Sequence, residues 1–181
     1  TDADAARAGV TYKAETAPTT VLDANGKPTI TSAYGVNRIN DEGKIYPHGG
    51  VDLRNGLNDA VHLAEKSIII HSGYTDAGGN TITTIGCVSK YKIMYMHTAP
   101  VSQVAGWIAS KAELPAGTVI GNTDTSGESH GAHLHFQIHD ASDIKLDPTL
   151  YLRGFSPIPA RADAATDAVG TTGASAGVQR V

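Results

Sequence analysis

"GAHLHFQIHD", residues 131–140, sets three histidines into a stretch that otherwise reads as a buried strand. Side chains of an extended segment alternate between two faces. Leu134, Phe136 and Ile138 fall on one face and suit a core, while His133, His135, Gln137 and His139 fall on the other. His133 and His135 then point the same way, close enough to share one small object. Neutral imidazole is a common metal ligand, so a metal ion or a reacting group is one reading. A strand with a polar outer face is the other. For an isolated H-x-H the two are level, and partners elsewhere in the chain must decide.

Two such partners lie upstream. "HGGVDLRNG", residues 48–56, reads as a short extended piece closed by an Asn-Gly turn signal. Extended, it puts His48 and Asp52 on one face and Val51 and Leu53 on the other. A histidine and a carboxylate are ligands suited to zinc. "IMYMHTAP", residues 93–100, ends an apolar strand on His97, which can reach into a cleft. The single cysteine, Cys87, excludes an intrachain disulfide and a thiolate zinc cluster, so a metal site must use His, Asp or Glu.

The 181 residues suffice for one domain with a real core. With 40% hydrophobic and 18% charged residues the composition is that of a globular protein, and twenty glycines with few aromatics favour turns and short strands. A net charge of −4 gives no electrostatic ground for binding nucleic acid or an anionic membrane. The longest apolar run, "SIII" at 67–70, is far too short to insert in a membrane. The opening "TDADAARAGVTYKAETAP" has neither a basic n-region nor an apolar h-region, so it is not a signal peptide. Prior removal of a signal, origin in a longer chain and another export route all stay open.

Three regions differ in texture. Residues 1–27 read as a linker or loosely attached arm, 28–155 as a mainly β domain, and 156–181 as a flexible tail of small polar residues. Strands are expected in "TITSAYGV" (29–36), "NTITTIGCVS" (80–89) and "KYKIMYMH" (90–97), and "AVHLAEKSIIIHSG" (60–73) reads as a strand pair or one long bent strand. In "VSQVAGWIASKAEL", residues 101–114, Val101, Val104, Ala105, Ile108 and Ala112 follow helical spacing, and Pro115 closes the helix. The expected fold is therefore mainly β, a compact antiparallel sheet or sandwich with one short helical insertion.

In order and spacing, these parts resemble the lysostaphin/LytM-type zinc endopeptidases, which cleave peptide bonds in bacterial peptidoglycan. The resemblance runs from about Pro28 to Leu152. "TITSAYGVNR" is similar to the family's opening strand and S-x-F-G-x-R segment, "HGGVDL" to its H-x-G-x-D, "YMH" to its Y-x-H, "TVIGNTDTSGESHGAHLHFQI" to its V-I-G…G-x-H-L-H-F run, and "LDPTLYL" to its N-P-x-x-Y-L ending. The resemblance implies that His48, Asp52 and His135 bind one Zn2+, that His133 and His97 are catalytic, and that the partner is bacterial peptidoglycan. It also implies an extracellular, periplasmic or phage-virion setting; membership of a larger chain or of a virion assembly stays open. Asp124, Ser126 and Ala132 depart from the family's usual Gly, Thr and Pro, and "GVNR" has one residue more than G-x-R. None of these removes a ligand. The groove walls are expected from "NRINDEGKIYP" (37–47) and from the long 98–116 connection after His97.

The remaining candidates have plain readings. His62 suits the polar face of a strand, His71 a turn before Ser-Gly, His130 a solvated loop, and His139 a place beyond the metal's reach. Cys87 reads as a small buried side chain and Trp107 as part of the amphipathic helix. Glu65, Glu113 and Glu128 lack the H-E-x-x-H frame of a thermolysin-like base. A non-catalytic wall-binding or structural homologue, for example a phage virion component, would usually lack a ligand; here all five positions are filled. A cupin-type oxygenase also uses H-x-H, but expects a Glu soon after it, where this chain has Gln137 and Asp140.

Overall fold

The strand read from residues 131–140 stands at the heart of the protein. The computed structural model describes residues 9–40, 42–152 and 178–180. The main sheet has eight strands: β1 (Ile30–Ser32), β4 (Val51–Arg54), β12 (His133–His139), β8 (Lys92–Met96), β7 (Gly79–Gly86), β6 (Ser67–Thr75) and β10 (Glu113–Leu114) in spatial order, with β13 (Lys145–Leu146) also on β12. All its pairings are antiparallel. A second sheet joins β5 (Ala60–His62), β11 (Val119–Thr123) and β9 (Thr98–Pro100), and a third joins β2 (Asn37–Ile39) to β3 (Ile45–Pro47) and to β14 (Val178–Arg180). The mainly β, antiparallel architecture is the one expected. No helix among the described residues is long and apolar enough to cross a membrane.

Alternation builds the core. Leu134, Phe136 and Ile138 of β12 are fully buried, as are Val51 and Leu53 of β4, Ile93 and Tyr95 of β8, and Ile82 of β7. Each such side chain contributes about 1.5–3 kcal/mol by leaving water. Aromatic edges and faces tie the layer together: Tyr95 meets Phe136 edge-on at 5.4 Å, and Phe136 stacks on Tyr151 at 6.0 Å. The strand register then sets the opposite face. His135 pairs with Asp52 on β4 and with Met96 on β8, so the H-x-H strand sits between the Asp-bearing strand and the strand that ends at His97.

Three details differ from the periodicity. The helix α1 covers only Val104–Ser110, because Lys111 takes a left-handed backbone (φ 52°) and ends it. The next residues straighten, and Glu113 and Leu114 pair with β6. The 60–73 segment divides into β5 and β6, and His71 lies within β6, just past a register shift, rather than in a turn. Cys87 is partly exposed. The short α2, Pro148–Tyr151, starts as its sequence demands: Asp147 caps Thr149 N at 2.9 Å, and proline occupies the first turn, where its missing N–H costs nothing.

The described part of the expected arm, residues 9–27, lies docked on the domain. Val10 is buried, Tyr91 Oη accepts from Thr11 N at 2.9 Å and donates to Gly9 O at 3.2 Å, and Ala14 N and Glu15 N donate to Tyr151 O and Ala64 O. Docking through a few scattered apolar side chains, Val10, Tyr12, Ala14 and Pro18, and single backbone bonds leaves no periodic signature. Residues 1–8 and, apart from β14, the expected tail at 156–181 lie outside the described residues.

Candidate active site

Four of the five predicted site residues sit on or beside three adjacent strands. Asp52 comes from β4, His133 and His135 from β12, and His97 follows β8; His48 precedes β4. The structure brings His48, Asp52 and His135 together. His48 Nε2 lies 2.9 Å from His135 Nδ1 and 3.2 Å from Asp52 Oδ1, and His135 Nδ1 lies 3.0 Å from Asp52 Oδ1. A tetrahedral ion with ligands at about 2.0–2.1 Å requires donor atoms about 3.3 Å apart. The triangle therefore has the dimensions of one face of a zinc site. All three side chains are buried, which suits a closed metal-binding face with its fourth side open.

The glycines of "HGGVD" make this approach possible. A Cβ on Gly50 would stand 2.4 Å from Phe136 O and 2.9 Å from His135 Nε2. Only a residue without a side chain lets the start of β4 lie against β12 while His135 keeps its place.

Hydrogen bonds fix which nitrogen of each histidine is free. A carbonyl oxygen only accepts, so His48 Nδ1, at 2.8 Å from Ala33 O, carries the hydrogen and leaves Nε2 bare toward the cluster. His133 Nδ1 donates to Gly131 O at 2.8 Å, and His97 Nδ1 donates to Ser126 O at 2.7 Å. His133 Nε2 is buried without a hydrogen-bond partner among the described residues, 3.6 Å from Asp52 Oδ1. The rings of His97 and His133 lie 4.7 Å apart. His97 itself adopts φ 55°, a left-handed backbone uncommon outside glycine, asparagine and aspartate. Its N–H is anchored on Gly78 O at 3.0 Å.

Burial sets the charges. It lowers the pKa of His48 to about 4 against the pull of Asp52, and lowers His97 to about 4 with the help of neighbouring His133 and His135. Both imidazoles are thus neutral at pH 7, as a ligand or a proton acceptor must be. Burial alone would raise the Asp52 carboxyl, but His48 and His135 outweigh it and hold the group well below the usual carboxylate range. Arg38 adds an ion pair to Asp52 Oδ2 and donates to Ser32 Oγ at 3.0 Å. With Oδ2 engaged, Oδ1 is the oxygen left for the cluster.

The groove beside these residues is lined by Tyr46, Thr75, Met96, Glu128, Gln137 and Lys145, among others. The 37–47 segment supplies a wall, as expected. The 98–116 connection does not line it: α1 packs on β6, with Val104 buried and Trp107 and Ile108 against the core. A wall from the β6–β7 hairpin takes its place. Of the other candidates, Glu65 is buried and hydrogen-bonded by Ser89, Glu113 pairs with Lys66 at 2.5 Å, and His139 is buried outside the cluster.

Comparison with known proteins follows from this geometry. A family model described as peptidase family M23 matches residues 46–148. The chain belongs to peptidase family M23. Within the matched span, His48, Asp52 and His135 form a group that could hold a metal ion. An uncharacterized metalloprotease of Haemophilus influenzae is 29% identical over 111 residues, 61% of this chain, and the match spans 22% of that relative's length. The catalytic domain of the antimicrobial peptidase lysostaphin from Staphylococcus simulans is 26% identical, with TM-score 0.55 over 67% of this chain and 89% of that domain. A zinc containing peptidase from Vibrio cholerae shares the fold at 22% identity, with TM-score 0.55 over 70% of this chain and 37% of that one. Three residues of this M23 site had no role in the sequence reading. Arg38 carried a signal, since it ends the "GVNR" segment. Gln137, which borders His135, carried one too, since alternation sets it on the face of His133 and His135; Ser126, which acts through its carbonyl, carried none.

Proposed function

We propose that this M23 peptidase is a zinc-dependent endopeptidase hydrolysing peptide bonds in the cross-links or stem peptides of bacterial peptidoglycan. One observation carries the reading: the mutual approach of His48 Nε2, Asp52 Oδ1 and His135 Nδ1 at 2.9–3.2 Å beside a buried His133 Nε2 that has no hydrogen-bond partner among the described residues. The peptidoglycan part rests on the resemblance of the chain's motifs to the lysostaphin/LytM type. The cell wall is then its place of work.

His48, Asp52 and His135 would hold the ion. Zinc, when bound, supplies a Lewis acid that polarises a carbonyl and acidifies water. His133 is the general base: its Nδ1 hydrogen is tied to Gly131 O, and its bare Nε2 takes the proton of the attacking water. The protonated His133 can then return that proton to the leaving amine. His97, neutral and tied at Nδ1 to Ser126 O, offers only a lone pair at Nε2. It therefore orients the water rather than donating to an oxyanion. Arg38 holds Asp52 Oδ2 in an ion pair and so orients the carboxylate.

The test is muropeptide analysis of purified sacculi after incubation with the zinc-loaded protein. New amine and carboxyl termini within the peptides are expected, absent when the metal is chelated. Intact sacculi with the zinc-loaded protein, or cleavage that persists after complete metal removal, would overturn the reading.

A further inference from the structure

His139 is a buried titratable group for which the mechanism has no use, and its surroundings give it one. The site face of β12 continues past His135 as Gln137 and His139, both buried. His135 Nε2 lies 3.4 Å from Gln137 Oε1, Gln137 Nε2 lies 2.5 Å from His139 Nε2, and His139 Nδ1 lies 2.7 Å from Asp143 Oδ1. Lys92 closes the outer end with an ion pair to Asp143. We propose that Asp143, His139 and Gln137 form a one-directional hydrogen-bond relay that positions His135 and makes Nδ1 its metal-binding atom. The proposal rests on the zinc reading above and extends it to positioning residues outside the ligand set.

The polarity follows from donor and acceptor chemistry. An ionised carboxylate only accepts, and Lys92 and His139 hold Asp143 below the usual carboxylate range. His139 Nδ1 must therefore donate, and with the ring's one hydrogen placed there Nε2 accepts from the Gln137 amide 2.5 Å away. Gln137 must turn its NH2 toward that nitrogen, which aims Oε1 at His135. The flipped amide would set acceptor against acceptor at His139. An acceptor aimed at His135 Nε2 keeps the hydrogen there and bares Nδ1, the atom facing His48 and Asp52. The turn that presents Asp143 is itself built for the task. Asp140 Oδ1 accepts from Ser142 N and Ile144 N, and Asp143 holds φ 66° so that its carboxylate reaches His139 one turn away.

The full chain serves for the test, with 15N-labelled histidine. In the metal-free wild type, two-bond 15N–1H correlations should show His139 as the Nδ1–H tautomer. In the zinc-loaded wild type, His135 should show an Nε2–H proton protected from exchange. Gln137→Leu and His139→Leu should lose that protection and weaken zinc binding by about 10–100-fold in a chelator competition. His139→Gln, whose Oε1 can accept in place of Nε2, should recover most of the affinity, which a packing role would not predict. Asp143→Gly suits the left-handed backbone at a surface position and folds regardless; it should leave His139 a mixture of tautomers. Zinc affinity within twofold of wild type in both leucine variants would overturn the relay, as would the Nε2–H tautomer at His139. A wild type that binds no zinc would sink the zinc reading instead. The relay would then stand or fall on the His139 tautomer in the metal-free protein.

Discussion

Substituting Gly50 by alanine tests the site at its tightest point. The new methyl would lie 2.4 Å from Phe136 O, whereas ordinary contact begins near 3.4 Å, so the start of β4 must back away by about 1 Å. The obstacle is the backbone of β12, which cannot swing aside as a side-chain tip would. Asp52 lies two residues beyond on β4, directly opposite His135. Metal ligands tolerate errors of only about 0.2 Å, so a 1 Å displacement breaks the donor triangle. Overpacking costs about 1–3 kcal/mol, and a 1 Å misplacement costs about 100-fold in rate. Gly50→Ala should therefore lower the unfolding free energy of the metal-free protein by that amount. Zinc affinity, read by competition with a chromophoric chelator, should fall by at least about 100-fold. Gly106→Ala is the control: it lies in α1 with nothing within 4 Å of its new methyl. It should leave zinc binding unchanged and stabilise by about 0.5–1 kcal/mol. A Gly50→Ala protein with wild-type zinc affinity and turnover would refute the contact argument.

Three further outcomes follow from the same geometry. His135→Ala should lose both zinc and hydrolysis, while His133→Ala should keep zinc and lose turnover by about 10²-fold or more; elemental analysis beside a wall-hydrolysis assay separates the two, and the reverse pattern would reverse the assignment. Arg38→Met leaves Asp52 Oδ2 buried without its cation and should cost about 3–5 kcal/mol in denaturant unfolding of the metal-free protein. For the pH dependence, His48 and His97 bind protons only near pH 4 when folded but near 6.5 when unfolded. Between those values the unfolded chain binds more protons, so stability of the metal-free protein is full above about pH 6.5 and falls as pH drops toward 4. Each group accounts for at most about 1.4 kcal/mol per pH unit, and a flat melting temperature across pH 4–6.5 would contradict the burial of both rings.

Much of this was legible because period-two alternation is a strong signal when both faces matter. Leu134, Phe136 and Ile138 announced a core strand, and their partners announced the site. Strand register was not legible, since nothing in "HGGVDL" says that Asp52 will pair with His135 rather than with a neighbour. Side-chain spacing overdraws the helix, since it carries no record of the left-handed Lys111 that stops it. Adjacency to His97 in sequence points the 98–116 segment toward the groove, but the chain turns sharply at that residue and packs the helix against β6. Arg38 shows in the sequence only as part of a motif, because an ion pair across fourteen residues of chain depends on tertiary placement.

The carbonyls of Ala33, Gly131 and Ser126 orient His48, His133 and His97. Any amino acid supplies the same oxygen, so the side chain at each position has no part in that task. An alanine scan would pass over Ala33 and Gly131 in silence, and at Ser126 it would read only the side chain, whose Oγ accepts from Asn80 N at 2.8 Å and donates to Asp124 Oδ1 at 2.6 Å. Their contribution would surface only when the amide itself is altered, as in a backbone ester replacement that weakens the carbonyl as an acceptor and lets an imidazole turn.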